Sequence, residues 1–178
     1  MKRILIVLAM MAIVLPSCRQ NQNSKKQKDE THKTSTDMSI QSETQNNETR
    51  AYEFVKEAGT YFIATEEGTQ ARVRPFSSWE LYEGKIYILT GKKKDVYKQI
   101  EANPRVEICA EQNGRWIRIA CDLVLEDRVE PKTFFLDRKP SSRKMGYGEN
   151  DPNTAIMYHK NAEVKMFRFG SEPEEFEF

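Results

Sequence analysis

The sequence predicts a mainly β domain with small helices, in which short strands form a barrel with helical caps over residues 50–178. Runs of β-branched and aromatic residues recur at short intervals, most clearly from Ile86 to Thr90. Tight turns separate these runs, among them Glu83-Gly84-Lys85 and Asn113-Gly114. The helical patterns between them are short, and the sequence contains no internal repeat, which favours a barrel over a bundle or a solenoid.

The first ordered element is a helix near residues 52–58, where Tyr52 and Val55 follow helical spacing and Gly59 ends the helix. Strand patterns then continue to the C-terminus, and two short helical patterns interrupt them. The predicted strands cover residues 61–65, 70–79, 86–90, 105–112, 115–125, 154–158, 164–169 and 175–178. The predicted helices cover residues 95–102, which Asn103-Pro104 ends, and residues 131–137.

One hairpin can be read residue by residue, because both positions of a two-residue type I′ turn need positive φ and Asn113-Gly114 suits them. Gln112 then pairs with Arg115, and this register sorts the two strands into faces. The apolar face carries Val106, Ile108, Ala110, Ile117, Ile119 and Cys121 and is a core face. The other face carries Glu107, Cys109, Glu111, Trp116, Arg118 and Ala120.

Trp116 and Arg118 therefore point away from the barrel interior. A large aromatic beside an arginine on such a face is typical of a subunit interface or a ligand contact. A tryptophan covered by a local loop is the alternative, and the alternation leaves it open. Cys109 and Cys121 fall on opposite faces, so we expect no disulfide between them and interpret both as small hydrophobes rather than catalytic thiols.

The charge balance argues against a nucleic-acid partner. The chain carries 28 lysines and arginines against 27 aspartates and glutamates, a formal net charge of +1. Binding to phosphate backbones depends on an excess of positive charge. We therefore expect a small-molecule or protein partner and no nucleic acid.

Residues 1–18 are predicted to be a lipoprotein signal peptide. Lys2 and Arg3 precede an apolar run that is too short for a transmembrane helix. The run ends in Leu15-Pro16-Ser17-Cys18, which resembles the bacterial lipobox, where the cysteine thiol is acylated. An ordinary signal peptide with a chance cysteine is the alternative. We expect lipidation of Cys18 and an exported protein held in a membrane by that anchor alone, on the periplasmic side or at the cell surface.

Residues 19–49 are predicted to form a flexible polar tether. The stretch is rich in Gln, Asn, Ser, Thr, Lys and Glu, and Met38 and Ile40 are its only large apolar residues. Such a composition does not bury enough surface to offset the entropy of ordering. His32 lies alone in it, so we expect no metal site there.

Three segments could together hold a phosphorylated aromatic cofactor. In Arg72-Val73-Arg74-Pro75 the alternation places both guanidiniums on one face, where arginine binds phosphate oxygens bidentately, and Pro75 indicates a strand edge or a bulge. In Thr90-Gly91-Lys92-Lys93-Lys94 a strand ends before three lysines and a helix N-terminus, which favours an anion. The outward-facing Trp116 and Arg118 are the third segment. Taken singly, the first two patterns are also typical of solvated surface.

No other pattern points to catalysis. The sequence has no glycine-rich nucleotide loop, no set of residues at metal-ligand spacing and no Ser/His/Asp arrangement, so no metal is expected. His159 lies near the end of a predicted strand without a partner at ligand spacing, and we interpret it as a surface or hydrogen-bonded histidine.

The order of these segments resembles the pyridoxamine 5′-phosphate oxidase-related proteins, which are FMN-binding split barrels, and is most similar to their small bacterial branch. The resemblance covers nearly the whole chain from Tyr52 onward. It is carried by residues 71–76, 87–100 and 102–106 and by Trp116-Ile117-Arg118-Ile119.

This resemblance implies a six-stranded split β-barrel that forms a homodimer, with two FMN sites shared across the interface. Lys93 and Lys94 would hold the phosphate, Thr90 would line the site, and Trp116 would approach the flavin from the second subunit. The FMN-binding residues by this resemblance are Arg72, Val73, Arg74, Pro75, Thr90, Lys93, Lys94, Trp116 and Arg118.

The function predicted on this basis is an FMN-dependent oxidoreductase of unknown substrate. Pyridoxamine-phosphate oxidase activity itself is not expected, because Asp95 and Val96 stand where those oxidases carry cations and an acidic stretch, residues 174–178, replaces their Arg/His segment. A non-catalytic module that holds flavin or haem is the alternative, and a barrel that serves only as an interaction surface is a third. The sequence nominates no catalytic acid or base.

Overall fold

Eight strands and four helices make up the described part of the chain. In this computed structural model the backbone is described for residues 23–178 and the side chains from residue 39 onward, and residues Ser39–Phe178 form one unit. The helices are α1 (Asn23–Ala58), α2 (Asp95–Ala102), α3 (Val129–Arg138) and α4 (Pro140–Lys144). The strands are β1 (Tyr61–Glu67), β2 (Gln70–Phe76), β3 (Glu80–Tyr82), β4 (Lys85–Gly91), β5 (Arg105–Gln112), β6 (Arg115–Glu126), β7 (Thr154–Arg168) and β8 (Glu174–Glu177).

All eight strands belong to one antiparallel sheet in the order β2-β1-β5-β6-β7-β4-β3, with β8 paired to β7. The fold class is therefore mainly β with small helices, as predicted, and the open sheet is consistent with a split barrel. The six strands implied by the resemblance are corrected to eight among the described residues. The additional strands are short: β3 has three residues and β8 has four.

Strand β7 was predicted as two strands and is one bulged strand of 15 residues. Its first half pairs with β4 and its second half with β8, while β6 pairs along its other edge. The register with β6 shifts between Ala120 and Asp122, and Asn161 on β7 has a φ of +53°. An extra residue of this kind bends a strand without ending it. The polar Lys160-Asn161 pair at the bulge interrupts the strand pattern in the sequence, which is why two strands were predicted.

The Asn113-Gly114 hairpin confirms the predicted register. Both turn residues have positive φ, +53° and +73°, and Gln112 pairs with Arg115 as predicted. The apolar face is buried throughout, with Ile108, Ile117 and Ile119 inaccessible to solvent. Cys109 and Cys121 lie on opposite faces, as the register predicted, and both are free thiols.

The core divides into two clusters that share strand β4. Ile86 and Ile88 face the larger cluster inside the sheet, while Tyr87 and Leu89 face a smaller one against α3, where Phe135 and Leu136 are buried. A strand buried on both faces has a continuous apolar run instead of an alternating pattern. This explains the unbroken run that the sequence shows from Ile86 to Leu89.

Helix α1 differs from the predicted tether over residues 19–49. It begins at Asn23, and its C-terminal part is anchored on the barrel: the Asn47 amide donates to the Glu177 carbonyl (3.2 Å), and Glu48 is buried. Composition alone underestimates the tendency of such a segment to form a helix. Lysine, glutamine and glutamate favour helices, and a C-terminal half that packs on the barrel can extend a polar helix. Residues 1–22, with Cys18, lie outside the described residues. None of the described helices has the length and apolar character needed to cross a membrane.

Glu48 joins α1 to the start of β4. Its carboxylate accepts a hydrogen bond from the Ile86 N–H (2.8 Å), and the Ile86 carbonyl accepts one from Nδ1–H of the buried His159 (2.8 Å). Ile86 precedes the first residue pair between β4 and β7. The side chains of Glu48 and His159 therefore satisfy its backbone N–H and C=O groups in place of a neighbouring strand. Burial raises the pKa of Glu48 to about 7, although the Ile86 N–H and the charge of Lys85 act in the opposite direction.

We predict that Glu48 makes the protein less stable as the pH rises from about 4.5 to about 7. The folded state holds the proton to a higher pH than the unfolded state, so the stabilisation is complete at acid pH and is lost above about pH 7. The difference in unfolding free energy between wild type and Glu48→Gln should change by about 3 kcal/mol across this range. Urea denaturation at pH 5 and pH 8 measures it, and a constant difference would contradict the prediction. Burial lowers the pKa of His159 to about 4, which changes stability with pH in the opposite direction. Both proteins carry His159, so its contribution cancels in the difference between wild type and Glu48→Gln.

Candidate cofactor site

Arg74 is the least exposed of the predicted cationic site residues. It projects from β2 on the face of the sheet that carries Ile63, its cross-strand neighbour. Its guanidinium donates to Thr65 Oγ1 (2.7 Å) and to Gln99 Oε1 (2.8 Å), and the Thr65 hydroxyl donates to the same Gln99 oxygen (2.6 Å). Thr65 and Gln99 are buried, so neutral oxygens of β1 and α2 hold the guanidinium in place.

The charge of Arg74 is not balanced by a carboxylate contact among the described side chains, because both of its hydrogen-bond acceptors are neutral. Burial lowers the pKa of the Arg74 guanidinium, and the neighbouring charge of Arg72 lowers it further. The charges of Glu67 and of Asp95, the first residue of α2, raise that pKa. The arginines of β2 and the N-terminus of α2 therefore face one region.

Arg72 lies on the same face and is more exposed. It forms an ion pair with Glu67 at 2.6 Å, in which both side chains are about half exposed. An exposed ion pair of this kind contributes little to stability. The Arg72 guanidinium can thus exchange Glu67 for a bound anion at low cost.

Thr90 lies near the end of β4, buried on the inner face opposite Ala155. Its hydroxyl has no hydrogen-bond partner among the described residues. A buried hydroxyl without a partner costs about 1–3 kcal/mol. A ligand that hydrogen-bonds to Thr90 would remove that cost.

The lysine loop, residues 91–94, follows Thr90 and leads into α2. Lys93 and Lys94 are exposed, and the Lys94 ammonium lies 5.7 Å from the centroid of the Tyr147 ring. The loop backbone is held by one residue, Asn153: its carbonyl accepts from the Lys92 N–H (2.8 Å) and its Oδ1 accepts from the Lys93 N–H (2.9 Å). The two lysine side chains are therefore presented to solvent on a fixed backbone.

Val73, Pro75, Trp116 and Arg118 lie on the opposite face, which we call the outer face and define by the exposed sides of β2, β1, β5, β6 and β7. Trp116 stacks on Phe167 of β7 with ring centroids 5.0 Å apart and planes 4° apart, and Phe169 tilts against it at 5.2 Å. The Arg118 guanidinium lies 5.1 Å from the Phe167 centroid. Trp116 is thus partly covered by Phe169. Phe169 is itself 80% exposed, so the aromatic cluster lies on the protein surface.

The structure therefore divides the predicted site residues into two groups. Arg72 and Arg74 lie on the inner face, and α2, which follows the lysine loop, contacts both β1 and β4. The outer-face residues are separated from this group by the sheet within one chain. A complete set of the predicted residues around one ligand would require a second chain.

Four residues that hold this site were not singled out from the sequence: Thr65, Gln99, Tyr147 and Asn153. Thr65 continues the inward alternation of Tyr61 and Ile63, so a polar residue at a core position was a detectable signal. Gln99 likewise lies on the buried side of α2 next to Ile100. Residues 145–153, by contrast, form an irregular loop whose sequence has no periodicity to interpret.

The remaining reactive side chains lie outside this region or are unsuited to catalysis. Burial raises the pKa of both the Cys109 and the Cys121 thiol, which agrees with their interpretation as small hydrophobes. His159 is buried and hydrogen-bonded, and its lowered pKa keeps it neutral near pH 7. Among the side chains that the structure describes, no group of three His, Cys, Asp or Glu residues is placed to hold a metal ion.

Solved structures show the class of this protein. General Stress Protein 26 from Bacillus anthracis str. Sterne is 15% identical, with a TM-score of 0.58 over 72% of this chain and 98% of that chain. A Clostridium acetobutylicum protein related to general stress protein 26 of B. subtilis (pyridoxinephosphate oxidase family) is 11% identical, with a TM-score of 0.57 over 75% and 96%. The fold is thus the split barrel of the pyridoxine-phosphate oxidase-like proteins.

Within that class a third structure shows the family. A NimC/NimA family protein from Clostridium acetobutylicum is 38% identical to this chain, with a TM-score of 0.70 over 74% of this chain and 94% of that chain. The chain therefore belongs to the NimC/NimA family. No protein-family profile matches the sequence, and no curated protein matches it.

Proposed function

We propose that the protein is a homodimeric, FMN-binding oxidoreductase. The proposal rests most directly on Arg74: its guanidinium is held in position by neutral acceptors and lacks a carboxylate partner among the described side chains. A structural arginine is normally paired, whereas a positioned and unpaired guanidinium is suited to a phosphate. The split-barrel fold and the family membership support the same assignment.

The residues present fit the cofactor. Arg72, Arg74, Lys93 and Lys94 would bind the phosphate, and the partnerless hydroxyl of Thr90 would hydrogen-bond to the ligand at the end of β4. FMN, when bound, supplies hydride or electron transfer. The protein side chains bind and orient the cofactor: Thr65 and Gln99 fix the guanidinium of Arg74, so little side-chain entropy is lost on binding.

The outer face is proposed as the dimer surface. Phe62 and Val73 are 47% and 65% exposed there, beside the Trp116–Phe167 stack. The face also carries Arg118 and Glu107, 3.4 Å apart and about half exposed, and a two-fold axis that passes near this pair would place complementary charges opposite each other. Trp116 and Arg118 would then reach the cofactor of the second subunit.

Titration of the full-length protein with FMN tests this function. We expect about one FMN per chain, with an absorption band near roughly 450 nm that shifts and a flavin fluorescence that is quenched on binding. Light scattering should give the mass of a dimer. A monomeric protein that leaves the spectrum of added FMN unchanged would contradict the proposal.

A non-catalytic carrier of a planar cofactor is the second candidate. It is favoured by the chemistry of the predicted site residues, which include no carboxylate, imidazole or thiol; Glu48, the glutamate whose pKa is about 7, lies at the start of β4, away from Thr90. Reduction of the bound flavin by a nicotinamide nucleotide would support the oxidoreductase, and a flavin that is bound but not reduced would support the carrier.

The lipid anchor also remains a proposal, supported by residues 1–18 of the sequence. We propose that Cys18 is acylated and that the exported protein faces the periplasm or the cell surface. A Cys18→Ser variant that fractionates with membranes as the wild type does would contradict this.

A further inference from the structure

We propose that Asn153, with Tyr147, is a positioning residue that makes this site select a phosphorylated flavin over riboflavin. The inference rests on the proposed function and adds to it the residues that determine the choice of ligand. Both residues belong to a segment we call the cover loop, residues 145–153, which joins α4 to β7.

Asn153 holds the backbone of the lysine loop with two of its groups, the backbone carbonyl and the side-chain amide. Its carbonyl accepts from the Lys92 N–H (2.8 Å), and its side-chain Oδ1 accepts from the Lys93 N–H (2.9 Å). Gly91 allows this close approach: a Cβ there would lie 3.1 Å from Asn153 Nδ2 and 3.3 Å from Oδ1. Asn153 thus fixes the direction in which two consecutive lysines leave the chain.

These hydrogen bonds also limit how an anion can bind. The N–H groups of Lys92 and Lys93 are both directed to Asn153, so they are not available to form a backbone cradle for phosphate. The loop therefore acts on a phosphate through the ammonium groups of Lys93 and Lys94. Because flexible lysine side chains bind weakly unless they are positioned, the backbone contact becomes important for affinity.

Tyr147 positions the second of these lysines. Its ring lies 5.7 Å from the Lys94 ammonium, and its Cε1 would be 3.4 Å from a Cβ on Gly91. The ring is partly buried against the smaller core cluster, which holds it still. A cation over an aromatic face gains about 0.5–1 kcal/mol at an exposed site, enough to favour one lysine orientation.

The cover loop has its own hydrogen bonds and does not depend on a ligand for its shape. Asp151 Oδ1 accepts from the Asn153 N–H (3.2 Å), and its Oδ2 accepts from the Thr154 hydroxyl (2.9 Å). The Thr154 hydroxyl in turn accepts from the Gly148 N–H (3.1 Å). Asn153 is therefore positioned before a ligand binds. FMN and riboflavin share the isoalloxazine ring, so selection between them depends on groups that are already in place around the phosphate.

The test compares FMN with riboflavin, which lacks the phosphate, by fluorescence titration of the full-length protein. For Asn153→Ala we expect FMN affinity to fall about tenfold, the effect of one hydrogen bond that positions a charge, while riboflavin affinity stays within about twofold. Asn47→Ala is the matched control, because it also removes a side-chain-to-backbone hydrogen bond, on α1. It should change neither affinity.

Further variants separate geometry from charge. Asn153→Asp keeps an acceptor for the Lys93 N–H, so the slow hydrogen exchange of that amide should persist while the added charge lowers FMN affinity. In Asn153→Ala the Lys92 amide keeps its carbonyl partner and the Lys93 amide should exchange faster, even without flavin. Tyr147→Leu should weaken FMN a few-fold, and Tyr147→Phe, which keeps the ring, should not.

The outcomes distinguish this inference from the proposed function. A wild type that binds neither flavin overturns the proposed function. A wild type that binds FMN, with an Asn153→Ala variant that keeps the same preference for FMN over riboflavin, overturns the inference alone. Parallel loss of both flavins would also overturn it, since it would show a general structural role.

Discussion

Arg74→Ala is expected to weaken FMN binding by about 100-fold while leaving the barrel folded. A hydrogen bond between two charged groups contributes about 1.5–3 kcal/mol, and Arg74 would supply more than one to the phosphate. The fold should survive, because Thr65 and Gln99 still bond to each other in the absence of the guanidinium (2.6 Å). Isothermal titration with FMN and a thermal melt of the same preparation measure the two effects.

Two further variants make the Arg74 result specific. Arg74→Lys keeps the charge but loses the planar fork, so we expect a loss of about tenfold. Arg50→Ala is the matched control: it removes an arginine that pairs with Glu174 and stacks on Phe176, away from β2. FMN binding by Arg74→Ala at wild-type strength would show that the unpaired guanidinium is not the phosphate site.

The sequence predicted best those elements whose pattern is local. The Asn113-Gly114 turn set the register of β5 and β6, and the helix α2 has the predicted bounds, because turn residues and a proline after a helix act over a few residues. The short strand β3 and the bulge in β7 were not predicted, because both are defined by pairing with a neighbouring strand, which periodicity does not report. Helix α1 is the strongest difference, since Asn47 and Glu48 in its C-terminal half are ordered by contacts with residues far along the chain.

The candidate site was predictable in composition but not in arrangement. Alternation placed Arg72 and Arg74 on one face and Trp116 on the outer face, and the structure has both placements. It did not reveal that Arg74 would be positioned by a buried threonine and glutamine, or that Asn153 would hold the lysine loop. Those contacts join β2 to β1 and α2, and the cover loop to the lysine loop, and they form only when the chain has folded.

Phe62→Asp is expected to convert the proposed dimer to a monomer, with dimer affinity lowered by about 100-fold or more. Phe62 lies on β1 in the outer face, between Pro75 of β2 and Cys109 of β5. An aspartate buried there on association would lose its hydration, which weakens the dimer. The monomer should remain folded, because Phe62 is already 47% exposed in one chain.

Val129→Asp is the matched control for Phe62→Asp, since Val129 is also 47% exposed but lies on α3, away from the outer face. Light scattering and FMN titration of both variants decide between two arrangements. If Trp116 and Arg118 complete the site of the partner, loss of the dimer by Phe62→Asp removes FMN binding as well, and Val129→Asp changes neither. A monomeric Phe62→Asp variant that binds FMN normally would place the whole cofactor site in one chain, and a dimeric one would place the interface elsewhere.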